Sequence, residues 1–422
     1  MRTALFLFVF LQTVSYVVTV HLECRDCICT ITNWNPGVDG PLAVDWILRC
    51  EMDLYFVNLT TPTIALDHID RMDLVSKFYI NIAKSPIQNV YMSSRAKIFR
   101  LTLTETNLTD IRFECQNNKL EFFTIIESRI SVLPDSIKLL SNVKAIHVLK
   151  SFLKFIDFSL FSKLSHLEHI SLSYNEIESL QFPDGQSEDF GKLKDILLSN
   201  NFLTTVSMNN FNNMRALETL DLSNNRIVSF EGHLESNSLR NLDLSHNRFD
   251  ALSFCGWNLT GLTKFDANNN ILMQLPACME TTMSSVSYLM LSSNVLSGGE
   301  IWPQLATMTN LQMLDVSHNR LTSLVWCSTV LSLRFVTARN NQIKELRVPF
   351  AKEGFNVDAG CNAIEQFDPS SMSPNVTFLQ MQCNPLDCSW NRDLMNYTGD
   401  AKCVKNVTNC KSCQVESEIG IS

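Results

Sequence analysis

Past residue 20 the chain has no stretch of 18 uninterrupted apolar residues, so the sequence offers no later helix long enough to cross a bilayer. It also lacks a C-terminal apolar tail of the kind removed when a lipid anchor is attached. Cations are the minority: Lys and Arg number 34 against 43 Asp and Glu, a formal charge of −9. Nucleic acid and anionic membrane are thereby disfavoured as partners, because both need a cationic face. There is no G-x-S-x-G, no phosphate-binding loop and no carboxylate pair with a role, so neither catalysis nor a cofactor is expected. No Pro/Gly/Ser-rich linker interrupts the centre, so the 422 residues read as one long body rather than two or three domains.

Self-similarity is abundant instead. LETLDLSNNRI, starting at Leu217, is followed 22 residues later by LRNLDLSHNRF, starting at Leu239. Both fit L-x-x-L-x-L-x-x-N-x-L with Ile or Phe allowed last, which resembles the leucine-rich repeat, one supersecondary unit stacked many times. With its Asn as phase marker, the series runs Asn175, Asn201, Asn225, Asn247, Asn270, Asn294, Asn319, Asn341, Asn362 and Asn384. Upstream the apolar pattern continues with Thr106, Ser128 and Ser151 at the marker, and a poorly formed unit lies near Phe78 and Ile80. Thirteen or fourteen repeats are predicted.

The spacing dictates geometry. In L-x-x-L-x-L the last two leucines alternate with polar residues, so a short strand points them inward and the intervening residues outward. The expected fold is an α/β repeat solenoid, a horseshoe whose parallel β-sheet lines the concave face between disulfide-bonded end caps. Fourteen strands at roughly 4.8 Å each would extend roughly 65 Å. The marker Asn should satisfy turn backbone groups through its amide. Ser and Thr do this less completely, so the first third is expected to be less regular. The expected divisions are 1–20, a signal peptide; 21–74, a cysteine cap and irregular first segment; 75–386, the repeats; 387–413, a second cysteine cap; and 414–422, a tail. Two longer repeats, containing PDGQSED and SGGEIWPQL, are expected to bulge at the surface.

Residues 1–20 carry Arg2 and then a broken apolar run, as secretory signals do. Fourteen cysteines clustered at both ends suit an oxidising compartment. Six sequons, at Asn58, Asn107, Asn258, Asn375, Asn396 and Asn406, fit a secreted glycoprotein. The front cap holds Cys24, Cys27, Cys29 and Cys50; the rear cap holds Cys388, Cys403, Cys410 and Cys413. Inside, Cys255 and Cys278 each lie eight residues past a marker Asn on neighbouring coils, and Cys361 and Cys383 each directly precede one. Both pairs are predicted to be disulfides. Cys115 and Cys327 have no such neighbour and are expected to be buried free thiols. Cys410 and Cys413 either close within the cap or link two chains.

The front cysteines, the repeats and the rear motif NPLDCSW together resemble the extracellular leucine-rich-repeat superfamily. More narrowly, the chain is similar to the mosquito leucine-rich immune proteins, which circulate in haemolymph and associate with complement-like thioester proteins. Such proteins commonly continue into a long coiled coil, whereas only QVESEIGIS follows Cys413, so the resemblance is to the coil-less type. It implies Cys24–Cys29 and Cys27–Cys50 bonds. It also implies a secreted protein that binds another extracellular protein in innate immunity. The alternatives are a matrix or developmental adhesion protein and a soluble receptor-like ectodomain.

The histidines form no metal or nucleophile constellation. His166 and His169 are three apart, but His169 is expected to be a solvated strand residue, and the trio Asp184, Glu188 and Asp189 is too irregular for a metal. Two outward columns remain. One runs Thr219, Asn241, Lys264, Tyr288, Met313, Phe335, Asn356 and Phe378; the other runs Leu197, Asp221, Asp243, Asp266, Met290, Asp315, Thr337, Asp358 and Gln380. The aspartates read as ordinary L-D-L-S repeat usage. Tyr288, Met290, Met313 and Phe335 do not, since apolar residues on a wetted face mark a partner surface.

Overall fold

Leu217, Leu220, Leu222 and Ile227, the apolar letters of one repeat, are all buried, whereas Glu218, Thr219 and Asp221 between the first three face outward. The alternation makes Thr219–Asp221 a strand, and its neighbours Asp195–Leu197 and Asn241–Asp243 pair with it in parallel, residue for residue. A computed structural model describes residues 20–40, 52–66, 78–93, 96–114, 119–183, 190–298, 301–326 and 332–386. Within them the pattern builds a leucine-rich-repeat solenoid. Its main sheet has 17 strands. The first, His21–Arg25, is antiparallel to Ile28–Thr32, and the remaining pairings are parallel in chain order to Val376–Gln380. From Phe78–Ser85 onward the sheet follows the predicted repeats, and in front of them Ile28–Thr32 and Met52–Val57 already stack in the same sheet.

The marker Asn works by saturating its amide. Asn225 donates through Nδ2 to the carbonyls of Leu198, Leu222 and Ser223 at 3.0 to 3.1 Å, and its Oδ1 accepts from Leu203 N at 3.0 Å. Asn201 and Asn247 make the equivalent four bonds in their own coils, accepting from Ile177 N and Ile227 N respectively. These buried amides satisfy turn groups that water cannot reach. The residue before each marker takes a left-handed conformation, as at Tyr174, Asn200, Asn224, His246, Asn269 and His318. Asn is well represented there because it tolerates positive φ better than most residues.

The first third differs from the middle in kind. Phe78–Ser85 and Ile98–Thr106 are eight and nine residues long, against three for Thr219–Asp221. Ser85, Ser128 and Ser151 bond the carbonyl two residues back, and Thr106 meets Ser128 at 2.8 Å. In the Asn coils the carbonyl of Leu222 goes to the amides of Asn225 and Asn247. A hydroxyl has no second N–H to take it, so the ladder runs on: Ile82 pairs with Leu103 and Ser85 with Thr106. Loss of the Asn therefore lengthens the strands. On the opposite side, Thr63–Ala65, Asn89–Met92 and Asp110–Phe113 form a second parallel sheet.

The repeat containing SGGEIWPQL is not a mere surface bulge. Its Ile301–Leu305 helix buries Trp302, whose ring nitrogen donates to Ser323 O at 2.9 Å and whose ring lies 5.4 Å from that of Trp326. The polar insert at 184–189, with Asp184, Glu188 and Asp189, lies outside the described residues.

Candidate functional site

Of the predicted disulfides, Cys24–Cys29 closes the first hairpin and Cys255–Cys278 joins neighbouring coils, with Cα atoms 5.0 Å apart. Cys27, Cys361 and Cys383 are also disulfide-bonded. The signal segment, Cys50, Cys115, Cys327, Cys388, Cys403, Cys410, Cys413, Asn396 and Asn406 lie outside the described residues. Among the other sequons, Asn107 is half-buried and Asn58, Asn258 and Asn375 are exposed. Asn58 Nδ2 donates to Asn33 Oδ1 at 2.6 Å and Asn375 Nδ2 to Ala351 O at 2.8 Å.

The concave columns stand as the repeat spacing predicts. Lys264, Tyr288, Met313, Phe335, Asn356 and Phe378 are successive cross-strand neighbours. In the next column Asp266 pairs with Met290 and Met290 with Asp315. Tyr288 is 44% exposed, and Met290, Met313 and Phe335 are half-buried. Neighbouring strands lie about 4.8 Å apart, so the three first-column side chains form one continuous apolar row.

The aspartates of the second column hold their own turns. Asp243 Oδ1 accepts from Ser245 N at 2.9 Å and from its hydroxyl at 2.7 Å, and Asp221 and Asp315 do the same for Ser223 and Ser317. Asp358 accepts from a backbone donor, Gly360 N at 2.9 Å, and Asp266 likewise lacks a hydroxyl partner among the described residues. Asp266 accepts from Asn268 N at 3.1 Å and lies 3.9 Å from Lys264 Nζ, and with Asn in place of Ser at 268 there is no hydroxyl to bond it; Asn268 Oδ1 takes Ser292 N and its hydroxyl. Burial first, then the charges of Asp243 and Asp315, push the Asp266 carboxyl above the usual carboxylate range, against Asn268 N and Lys264.

The front of the concave face carries groups that the column reading, begun at Leu197, did not reach. His169 is half-exposed rather than simply solvated, since its Nδ1 lies 2.6 Å from Asp195 Oδ2 on the next strand; His166 Nδ1 lies 3.2 Å from Ser141 O. His147 is held below the ordinary imidazole range by burial and then by the charges of His169 and Arg100. Just outside the first column, Lys144 meets Glu121 at 2.6 Å and Lys194 meets Glu168 at 2.7 Å. The ion pair with Lys194 lowers the Glu168 carboxyl and raises the ammonium. Running the same ruler back from Thr219 toward the chain's start places Phe122, Arg100 and Tyr79 at the phase of Tyr288. Among the described residues, no group of three or more His, Cys, Asp or Glu could hold a metal ion, and no helix is long and apolar enough to cross a membrane.

The leucine rich repeat family model matches residues 191–249, the middle of the Asn-marked coils. Over that stretch the coils match the leucine-rich repeat. Toll-like receptor 9 of Mus musculus is 30% identical over 205 residues, covering 44% of this chain and 19% of the receptor. Lumican of Gallus gallus is 30% identical over 167 residues, covering 39% of this chain and 47% of lumican. The chain thus spans less than half the length of these relatives. Among solved structures, a Leptospira interrogans LRR protein superposes with a TM-score of 0.50 at 18% identity, covering 72% of this chain and 87% of that one. That likeness is one of fold.

Proposed function

We propose that this chain is an extracellular leucine-rich-repeat protein that holds another protein on the rear of its concave face. The observation that carries this is the row Tyr288, Met313 and Phe335, with Met290 beside it. A structural role would turn such side chains inward, as it does Leu289, Leu314 and Val336 on the same strands. An apolar row left outward is the usual signature of a partner surface, and aromatic residues at its centre supply much of the binding energy. The resemblance to leucine-rich immune proteins makes the role one in innate immunity and a complement-like thioester protein the first partner to try. A disulfide-linked pair through Cys410 or Cys413 is part of the same proposal.

The test is capture from body fluid under non-reducing conditions, followed by identification of what is held. Tyr288→Asp together with Phe335→Asp should lower capture of the bound protein by about a hundredfold, as loss of two central anchors does, without changing the melting temperature. Undiminished capture by the double variant would remove the rear row as the binding surface.

A further inference from the structure

At the front of the concave face the sheet makes one irregular step. Phe78 pairs with Ile98, but Tyr79 pairs with Arg100, so Phe99 is an extra residue in its strand. Such a bulge re-aims the side chains around it. Here it adds a third ring to what would otherwise be a two-ring row. The Phe99 ring lies 5.6 Å from Tyr79 at 76° and 5.5 Å from Phe122 at 58°. Arg100, the next residue, turns its guanidinium across the same rings, 5.5 Å from the centre of Tyr79 and 4.8 Å from that of Phe122.

Arg100 is exposed and meets no carboxylate among the described residues, while the nearest cation of the adjoining column, Lys144, is already paired with Glu121. The guanidinium carbon lies over two rings while the side chain stays exposed to solvent. A guanidinium is weakly hydrated and stacks readily, so this placement is favourable before any ligand arrives. Holding the fork in one orientation also lowers the entropy lost when a planar acceptor docks. From these observations we infer that Tyr79, Phe99, Arg100 and Phe122 form a second docking surface, which receives a carboxylate side chain and its apolar neighbour from an acidic segment of a protein partner.

Charge and shape select that occupant. A carboxylate is planar, carries one negative charge and matches the guanidinium fork with two parallel hydrogen bonds. A phosphate brings more charge than Arg100 alone can balance, and among the described residues Lys144 of the adjoining column is already paired with Glu121. The three rings offer an apolar floor for the residue beside the carboxylate, and the floor ends toward the chain's start where Asp53 stands opposite Tyr79.

The inference rests on the reading of this chain as a protein binder, but not on the rear row. Eight strand spacings separate Arg100 from Tyr288 along the sheet, roughly 40 Å at about 4.8 Å each. The two surfaces can therefore be tested apart.

Three labelled peptides, identical except for Glu, Gln or Lys between two leucines, serve as probes of the full chain by fluorescence anisotropy. The Glu peptide should bind about tenfold more tightly than the Gln peptide, the gain expected of a charge-assisted bidentate bond, and the Lys peptide should bind weakest. Arg100→Gln should erase the preference for Glu, and Arg100→Lys should keep only part of it, because an ammonium neither stacks nor forks. Tyr288→Asp with Phe335→Asp should leave the preference intact. Equal binding of the Glu and Gln peptides, an unchanged preference in Arg100→Gln, or retention of a neutral oligosaccharide with no Glu preference would each overturn the inference. If the preference is absent while partner capture still depends on Tyr288 and Phe335, this surface falls and the proposed function stands.

Discussion

The front coils, marked by Ser or Thr, and the middle coils, marked by Asn, close the same parallel sheet by different means. In the middle a single amide makes four hydrogen bonds and ends the strand after three residues. In front a hydroxyl makes fewer bonds, and the backbone ladder carries on for up to nine residues. Order in the front third therefore comes from backbone pairing, and order in the middle from side chains at the turn. The concave chemistry divides along the same axis. The front presents rings around an open guanidinium; the rear presents an apolar row beside aspartates that are occupied with their own turns.

The largest effect that could break this comparison is removal of one marker. Asn225→Ala leaves three carbonyls and the Leu203 N–H without their partner in a buried turn, and should cost about 3 to 5 kcal/mol in denaturant unfolding. Ser128→Ala, in the front, should cost about 1 kcal/mol, since the strand ladder around it remains. Equal costs would mean that the two halves are held alike. Next in size is the staple between coils: Cys255→Ala with Cys278→Ala opens a bond spanning 23 residues and should cost about 3 kcal/mol, seen as a lower melting temperature without reductant.

Smaller effects sharpen the comparison through charge. The Asp266 carboxyl is raised in the folded chain, so its ionisation opposes folding, and the associated stability is lost as pH rises through the folded value. Asp266→Asn should therefore stabilise at neutral pH by up to about 1 kcal/mol. Asp243→Asn should destabilise by about 1 kcal/mol, because its carboxylate makes two short bonds to Ser245 that an amide makes more weakly. Melting temperatures that move in the same direction would contradict this assignment. In front, His147 is depressed below its ordinary value of 6.5, so the folded chain holds less proton than the unfolded one. Stability should be full above that value, fall as pH drops below it, and level off once the folded imidazole is protonated. His147→Gln should flatten that part of the pH profile.

Much of this architecture is legible in the residues. The period alone places Tyr288, Met313 and Phe335 on adjacent strands and brings Cys255 to Cys278, because a solenoid converts sequence phase into spatial column. The front platform is not legible in the same way. IFRLTL reads equally well with or without an extra residue, and only the pairing of Tyr79 with Arg100 reveals that Phe99 is displaced. Placing Arg100 and Phe122 in the column needed only the ruler carried back from Thr219 toward the chain's start. The burial of Trp302 was hidden for another reason: it lies in an insert, within which the ruler does not say which residues turn inward.

The most direct measurement of the central claim is site-specific photo-crosslinking of the bound partner. A photoreactive phenylalanine analogue in place of Met313 should attach covalently to the protein captured from body fluid, whereas the same analogue at Met273, exposed outside the concave sheet, should not. Crosslinking at Met273 with none at Met313 would show that the partner sits elsewhere and that the rear row of the concave face is not what holds it.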